Sequence, residues 1–274
     1  MDRIYLTKDL VEQMEEYVND NLDNKLCISL DLGKTTVCLS RDEVFDILNR
    51  IPNKLRGDGV YVLEGDNLFK LEGYDGEHYY KLAYDPARYN DLPILQIDGI
   101  RMHRVKSMKV RVFIKNIRKR IKPKREDVVL DTCCGLGYYS IEFAKYVKQV
   151  ITFEKHKIVL DLARYNPWSG ELFERDNIRM VNDDILDGIK GIPSHSVSVI
   201  LHDPPTFKLT PGLYSERLYE EFTRVAQVRE TRLYHYIGDY EKNRKLYRRV
   251  IKMLENLGWR VKVDTKLLGL FGKY

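Results

Sequence analysis

From about residue 126 onward, short apolar runs alternate with helical segments five times, and this alternation constrains the fold more than any other feature. The strand candidates are VVLDTC, QVITFEK, IRMVNDD, VSVILHDPP and TRLYHYIGD. The helix candidates lie around YYSIEFAKYV, KIVLDLARYN, YSERLYEEFTRVAQ and NRKLYRRVIKMLENL. Strands that follow one another through helices imply a parallel sheet covered on both faces. The tail GWRVKVDTKLLGLFGKY offers two more strands with Leu268-Gly269 between them, consistent with an antiparallel closing hairpin.

Residues 1–100 follow a different grammar. An amphipathic run, LVEQMEEYVNDNL, precedes strand-like segments around LCISLDL, TTVCLS, GVYVLEG, NLFKLEG, YYKLAY and PILQIDG, separated by Gly, Asp and Asn turns. The expected organisation is a smaller N-terminal α+β domain over 1–100, suited to holding a substrate, and a larger α/β domain over 101–274. SLDLGKTT, at 29–36, has the look of a phosphate-binding hairpin, but no second phosphate loop accompanies it, and it reads as a plain hairpin.

No apolar stretch reaches the roughly 18 residues of a membrane span, and MDRIYLTKDL lacks the apolar core of a signal peptide. The expectation is a soluble, cytoplasmic chain without a membrane partner. Of the four cysteines, Cys133 and Cys134 are adjacent, while Cys27 and Cys38 flank a hairpin and could face each other across it. Cytosolic thiols normally stay reduced. None forms a C-x-x-C pair and no His stands at zinc-ligand spacing, so no metal site is expected.

The net charge of +5 conceals an asymmetry. Residues 101–125, RMHRVKSMKVRVFIKNIRKRIKPKR, hold 12 Lys or Arg and no acid, and the rest of the chain holds 34 bases against 41 acids. Val110, Phe113, Ile114, Ile117 and Ile121 fall at helical spacing. Arg111, Lys115, Arg118 and Lys122 line another face at i, i+4, i+7 and i+11. A solvated face explains such a stripe, as does an anionic partner. Arg101 to Arg125 would bind RNA phosphates with a strong salt dependence, although no RRM, KH or zinc-knuckle signature accompanies them.

The strand VVLD leads into DTCCGLG and then a helix. Gly135 and Gly137 permit a tight turn and close backbone approach, and the helix start presents free N–H groups. Asp131 selects the ligand. A carboxylate there repels a pyrophosphate but suits the ammonium and sulfonium of S-adenosylmethionine. The dinucleotide fingerprint is also incomplete, with Ser140 at its third glycine position. Glu154, ending the second strand, can accept from both ribose hydroxyls, and Asp183, after the third, from the adenine amino group. Cys133 completes the expected cofactor set as a small residue tolerated in the loop.

D-x-x-x-G-x-G at 131–137, Glu154, Asn-Asp at 182–183 and Asp-Pro-Pro at 203–205 together resemble the ordered motifs of class I, Rossmann-like S-adenosylmethionine-dependent methyltransferases. More narrowly, DTCCGLGYYSIE, FEKH, NPWSGELFE, HDPPTF, LYSERLYEEFTRV, LYHYIGD and IDGIRMH resemble a family of predicted archaeal methyltransferases. The resemblance is specific over about 95–274. It implies that Asp203 and the Pro204 carbonyl hold a target amine, the prolines stiffening the turn. Thr206 stands where the stacking aromatic is usual, and Phe207 follows one residue later. DPPTF is also similar to the motif of some 23S ribosomal RNA base methyltransferases. The expected activity is therefore methyl transfer to a base in tRNA or ribosomal RNA, on nitrogen or carbon. The alternatives are a protein or small-molecule methyltransferase, an aminopropyltransferase acting on a polyamine, and a non-catalytic RNA-binding module. His202, beside Asp203, reads as a packing residue more readily than as a base.

Overall fold

The structure is a computed structural model that describes residues 3–20, 24–52, 54–86, 91–103 and 108–274. Residues 104–107 of the basic segment lie outside the described residues. The chain divides into two compact units, one of residues 1–111 with 161–168, the other of 112–160 with 169–274.

The first unit carries three small antiparallel sheets. Strand β1 (Ile4–Leu6) pairs with β4 (Tyr61–Glu64), which pairs with β5 (Asn67–Lys70). The hairpin of β2 (Leu26–Ile28) and β3 (Val37–Leu39) stands alone, and β6 (Glu72–Tyr74), β7 (Tyr79–Ala83), β8 (Ile94–Ile97) and β9 (Ile100–Arg101) form a meander. Asp98 and Gly99 both take positive φ in the β8–β9 turn, as a two-residue hairpin with the strands' own twist requires. Helix α1 (Lys8–Asn19) buries Val11, Met14 and Tyr17 under a Thr7 cap. Helix α2 (Arg41–Asn49) has no counterpart among the sequence expectations. Its start is nevertheless written in the chain as a Ser40–Glu43 capping box, with each side chain serving the other's backbone N–H.

Cys27 and Cys38 are directly opposed in the β2–β3 register and form a disulfide, against the expectation that they stay reduced. In the connecting loop, Asp31 accepts from Ser29 Oγ, Lys34 N, Thr35 N and Thr35 Oγ1. The acid is thus occupied in closing its own turn, consistent with a plain hairpin.

The second unit is built on a seven-stranded sheet of order β12-β11-β10-β13-β14-β16-β15. Strands β10 (Val128–Asp131), β11 (Gln149–Phe153), β12 (Ile178–Val181), β13 (Val199–His202) and β14 (Arg232–Tyr236) are parallel. β15 (Arg260–Asp264) and β16 (Gly269–Lys273) form the antiparallel closing hairpin, with β16 inserted beside β14. Gly269 opens β16 rather than sitting in the turn, and only glycine fits there. A Cβ would fall 2.3 Å from the His235 carbonyl oxygen.

The central strands are buried on both faces, which is why they read as continuous apolar runs. On one side, Tyr219, Phe222 and Val225 of the helix Glu216–Val225 and Tyr247, Val250 and Leu254 of the helix Tyr240–Asn256 pack with Leu233, Ile200 and Trp259. Burial of each such side chain contributes about 1.5–3 kcal/mol. Ser215 and Asp239 cap these helices through the Leu218 and Lys242 N–H groups, worth about 1 kcal/mol each. Helix α3 (Val110–Ile121) buries Val110, Phe113, Ile114, Ile117 and Ile121, the face its spacing anticipates.

Its charged face differs from the expectation of a stripe without acidic partners. Asp91 receives the Val110 N–H at 3.0 Å and pairs with the Arg111 guanidinium at 3.2 Å. Arg118 pairs with Glu142 at 2.8 Å and lies over the Tyr146 ring. The acids come from 20 and 24 residues away, so the segment's own composition could not reveal them.

Candidate cofactor and active site

Four neighbouring parallel strands end on four acids. Asp131 closes β10, Glu154 follows β11, Asp183 follows β12 and Asp203 follows β13. A parallel sheet gathers these ends on one edge, where α/β folds take their ligands.

The loop after β10 turns through Gly135, at φ 54°, and Gly137, at φ 79°, which precedes α4 (Tyr138–Ala144). A Cβ on Gly137 would fall 2.7 Å from Leu172 Cδ2, whereas a Cβ on Gly135 would meet no atom within 4 Å. Gly137 is thus required by packing, and Gly135 borders open space. Asp131 is buried. Its Oδ2 accepts from Ser140 Oγ at 2.6 Å and Thr152 Oγ1 at 3.1 Å, while Oδ1 is buried without a partner. Burial pushes its carboxyl up to about 6.

Glu154 braces the same loop. One oxygen accepts the Gly135 N–H at 2.9 Å and the other the His156 N–H at 3.0 Å. Burial, reinforced by the Asp131 charge, pushes it up to about 7, though it keeps a solvent-facing edge. Asp183 is exposed, and one of its oxygens accepts the Asp184 N–H. Asn182 ties this end of β12 to β11 by donating to the Glu154 and Lys155 carbonyls.

Asp203 also keeps a solvent edge, and burial together with the Asp131 charge pushes it up to about 7. The Tyr139 hydroxyl lies near it, buried and without a hydrogen-bond partner. Pro204 is buried. The Pro205 carbonyl, by contrast, is occupied by the Tyr214 and Thr210 hydroxyls, each at 3.1 Å. Phe207 stands edge-on to Tyr214 at 5.5 Å with the Arg249 guanidinium 5.8 Å above its ring. It therefore packs at the turn's flank.

His202 is structural. Its Nε2 donates to the Leu213 carbonyl at 2.8 Å and its Nδ1 accepts from Thr132 Oγ1 at 2.7 Å. Burial lowers it to about 4, so it is neutral. Cys133 is partly exposed, and its thiol is held protonated by burial first and by the surrounding carboxylates. Nothing in the local sequence signals that Tyr139, Tyr214 and Tyr234 gather around Asp203. Burial first, and then the Asp203 charge, keeps all three phenols neutral.

These features fit S-adenosylmethionine. Two mutually repelling carboxylates and an orphaned oxygen welcome a cationic ligand, the open side of Gly135 admits it, and Glu154 and Asp183 offer acceptors further along the edge.

No protein-family model matches the chain. It is 34% identical over 276 aligned residues to an uncharacterized protein of Methanocaldococcus jannaschii, covering 97% of this chain and 92% of that one. Over 82 residues, 30% of the chain, it is 34% identical to the 23S rRNA (uracil(1939)-C(5))-methyltransferase RlmD of Legionella pneumophila, of whose length it spans 18%. Among solved structures it is similar to a spermidine synthase in complex with the transition-state analogue AdoDATO. The TM-score is 0.61 at 14% identity, over 78% of this chain and 74% of that one. The chain belongs to one family with the Methanocaldococcus jannaschii protein, and its fold is the Rossmann-like one of class I S-adenosylmethionine-dependent enzymes. Among the described residues, no helix is long and apolar enough to cross a membrane.

Proposed function

We propose that this methyltransferase modifies a base in RNA, with Asp203 and Pro204 at the reacting end. The observation that carries the substrate reading is the run of likeness to RNA-modifying enzymes. The excess of 12 bases in residues 101–125 supports it. When bound, S-adenosylmethionine supplies a methyl group activated by its sulfonium. Asp131 would neutralise the cofactor's positive charge, Glu154 would accept from its ribose and Asp183 from its adenine. The glycine loop leaves room for it beside Gly135, and Cys133 lies in that loop.

At the acceptor, Asp203 and the Pro204 carbonyl receive the base's N–H groups, which fixes the direction of its lone pair. Asp203 in its carboxylate form also stabilises positive charge appearing on the acceptor and takes up the proton released. The neutral Tyr139 hydroxyl offers a further hydrogen bond to the acceptor or to Asp203. Phe207 flanks the turn against Tyr214. Cys133, held as a thiol, is poorly suited to nucleophilic attack on a pyrimidine ring, which favours a direct transfer.

A second reading is favoured by a specific feature. Asp131, Glu154 and Asp203, crowded together beside tyrosines, also suit a polyamine, and a likeness to spermidine synthase accompanies them. In that case the transferred group is aminopropyl, from the decarboxylated cofactor.

The test is transfer of label from methyl-labelled S-adenosylmethionine into the RNA, protein and small-molecule fractions of an unmodified cell extract, with Asp203→Ala as control. Label in RNA that disappears with the variant is the expected result. Label confined to protein or small molecules, or none in any fraction, overturns the RNA reading. Turnover of decarboxylated S-adenosylmethionine with a polyamine establishes the second.

A further inference from the structure

The opposite end of the same sheet carries an arrangement of charge that the acidic edge does not use. At the hairpin, Arg232 of β14 is directly across from Lys273 of β16, and Lys273 is directly across from Arg260 of β15. Residues paired across strands share a face, so three bases stand in a row about 4.8 Å apart. Two residues along on the same face lie Tyr234, Phe271 and Lys262. Like charges directly opposite one another destabilise a sheet, and only one of the three is neutralised. Arg232 pairs with buried Asp127 at 2.5 Å and donates to the Lys122 carbonyl. Arg260, Lys262 and Lys273 are exposed and have no carboxylate within ion-pair distance among the described residues.

This row forms the floor of a groove of roughly 620 Å3, walled by the end of α3 and by the segment before β14. Arg120, whose guanidinium lies 5.3 Å over the Phe271 ring, and Lys124 line one side, and Arg229 the other. Among the described residues, Glu230 is the only acid lining it. The bases come from four places in the sequence and face one space.

We propose that this groove binds the phosphate backbone of the RNA substrate. The choice of RNA rests on the substrate proposed for the methyltransferase; the need for a polyanion rests on the groove itself. A single phosphate cannot occupy bases spread across three strands and both walls, whereas a nucleic-acid backbone meets them with successive phosphates. An anionic membrane is a poorer fit to a concave site. From Arg232 to Tyr236, β14 climbs about 13 Å toward the edge that bears Asp203. That corresponds to about four stacked nucleotides at 3.4 Å each, so one strand of RNA can lie in the groove while a base reaches the acceptor turn. Backbone interactions of this kind set register and carry no sequence information.

The test compares the full-length protein with the double variant Arg260→Glu/Lys262→Glu, and with Arg229→Glu/Lys124→Glu as an independent pair. Binding of a labelled, unmodified RNA transcript is measured across a salt series. The expected result is at least tenfold weaker binding for each pair, with the salt slope reduced by about 0.7–0.9 for each phosphate no longer neutralised. S-adenosylmethionine affinity and thermal melting should be unchanged, and KM for RNA should rise with kcat retained. Affinity and slope within twofold of the parent protein overturn the proposal. So does loss of binding to phosphatidylserine vesicles with RNA binding untouched. RNA bound through these residues but never methylated leaves the groove standing and removes the substrate reading. RNA methylated with an unaltered KM in both variants does the reverse.

Discussion

The two ends of the central sheet make opposite use of charge. At the C-terminal edge of the parallel strands, Asp131, Glu154 and Asp203 are held by burial at about 6, 7 and 7. At the other end, Arg260, Lys262 and Lys273 stand exposed with no acid beside them among the described residues. The acids sit where desolvation makes each charge costly, and a cationic ligand offsets that cost directly. The bases sit in water, where each interaction is weak and screened, so only an extended anion can gain from the set. A small cofactor suits the first arrangement and a polymer the second.

The largest effect is expected at the acidic edge. Asp203→Asn keeps the shape of the side chain but cannot become a carboxylate, and kcat should fall by about 10²–10³-fold with S-adenosylmethionine affinity nearly constant. In the parent protein, the acceptor form of Asp203 is lost as pH falls below about 7, so kcat should decline tenfold per unit on that side. A pH–rate profile flat between 5 and 8 would remove Asp203 from this role.

Asp131→Asn should weaken S-adenosylmethionine by about tenfold or more, the range for hydrogen bonds to a charged group. Because burial raises Asp131 to about 6, the proton must leave before the cation is welcomed. Calorimetric affinity should therefore fall below pH 6 in the parent protein and lose that dependence in the variant. The smallest effect belongs to the basic end. Lys262→Gln should lower the salt slope of RNA binding by about 0.7–0.9 and leave cofactor affinity and its pH dependence alone. Were Lys262→Gln to alter cofactor binding, or Asp131→Asn the salt slope, the two ends would not be separate devices.

Their legibility in the sequence differs for the same reason. The four acids appear one per strand end, in chain order, and a parallel sheet automatically brings successive strand ends together. Reading Asp131, Glu154, Asp183 and Asp203 in order is therefore enough to anticipate their common edge. The groove has no such order. Its bases come from residues 120, 124, 229, 260, 262 and 273, and which exposed bases share a face depends on strand register, which apolar periodicity does not encode.

The basic helix shows the converse. Arg111 and Arg118 look unopposed in the sequence because their partners, Asp91 and Glu142, lie beyond the segment. Helix α2 lacks a long apolar stripe, yet its Ser40–Glu43 box is readable from local chemistry. The gathering of Tyr139, Tyr214 and Tyr234 around Asp203 is tertiary and leaves no local trace.

The insertion of β16 between β14 and β15 makes the place of β15 in the sheet depend on β16. Among the described residues β15 pairs with the sheet only through β16, so its bases line up with Arg232 only where β16 is seated in register on β14. Gly269 fixes the register of that docking, because any side chain there would strike the His235 carbonyl. A one-residue slip would turn Lys273, Phe271 and their neighbours to the other face, burying charge against Trp259. The seating of the hairpin thus decides whether the protein has a basic groove at all.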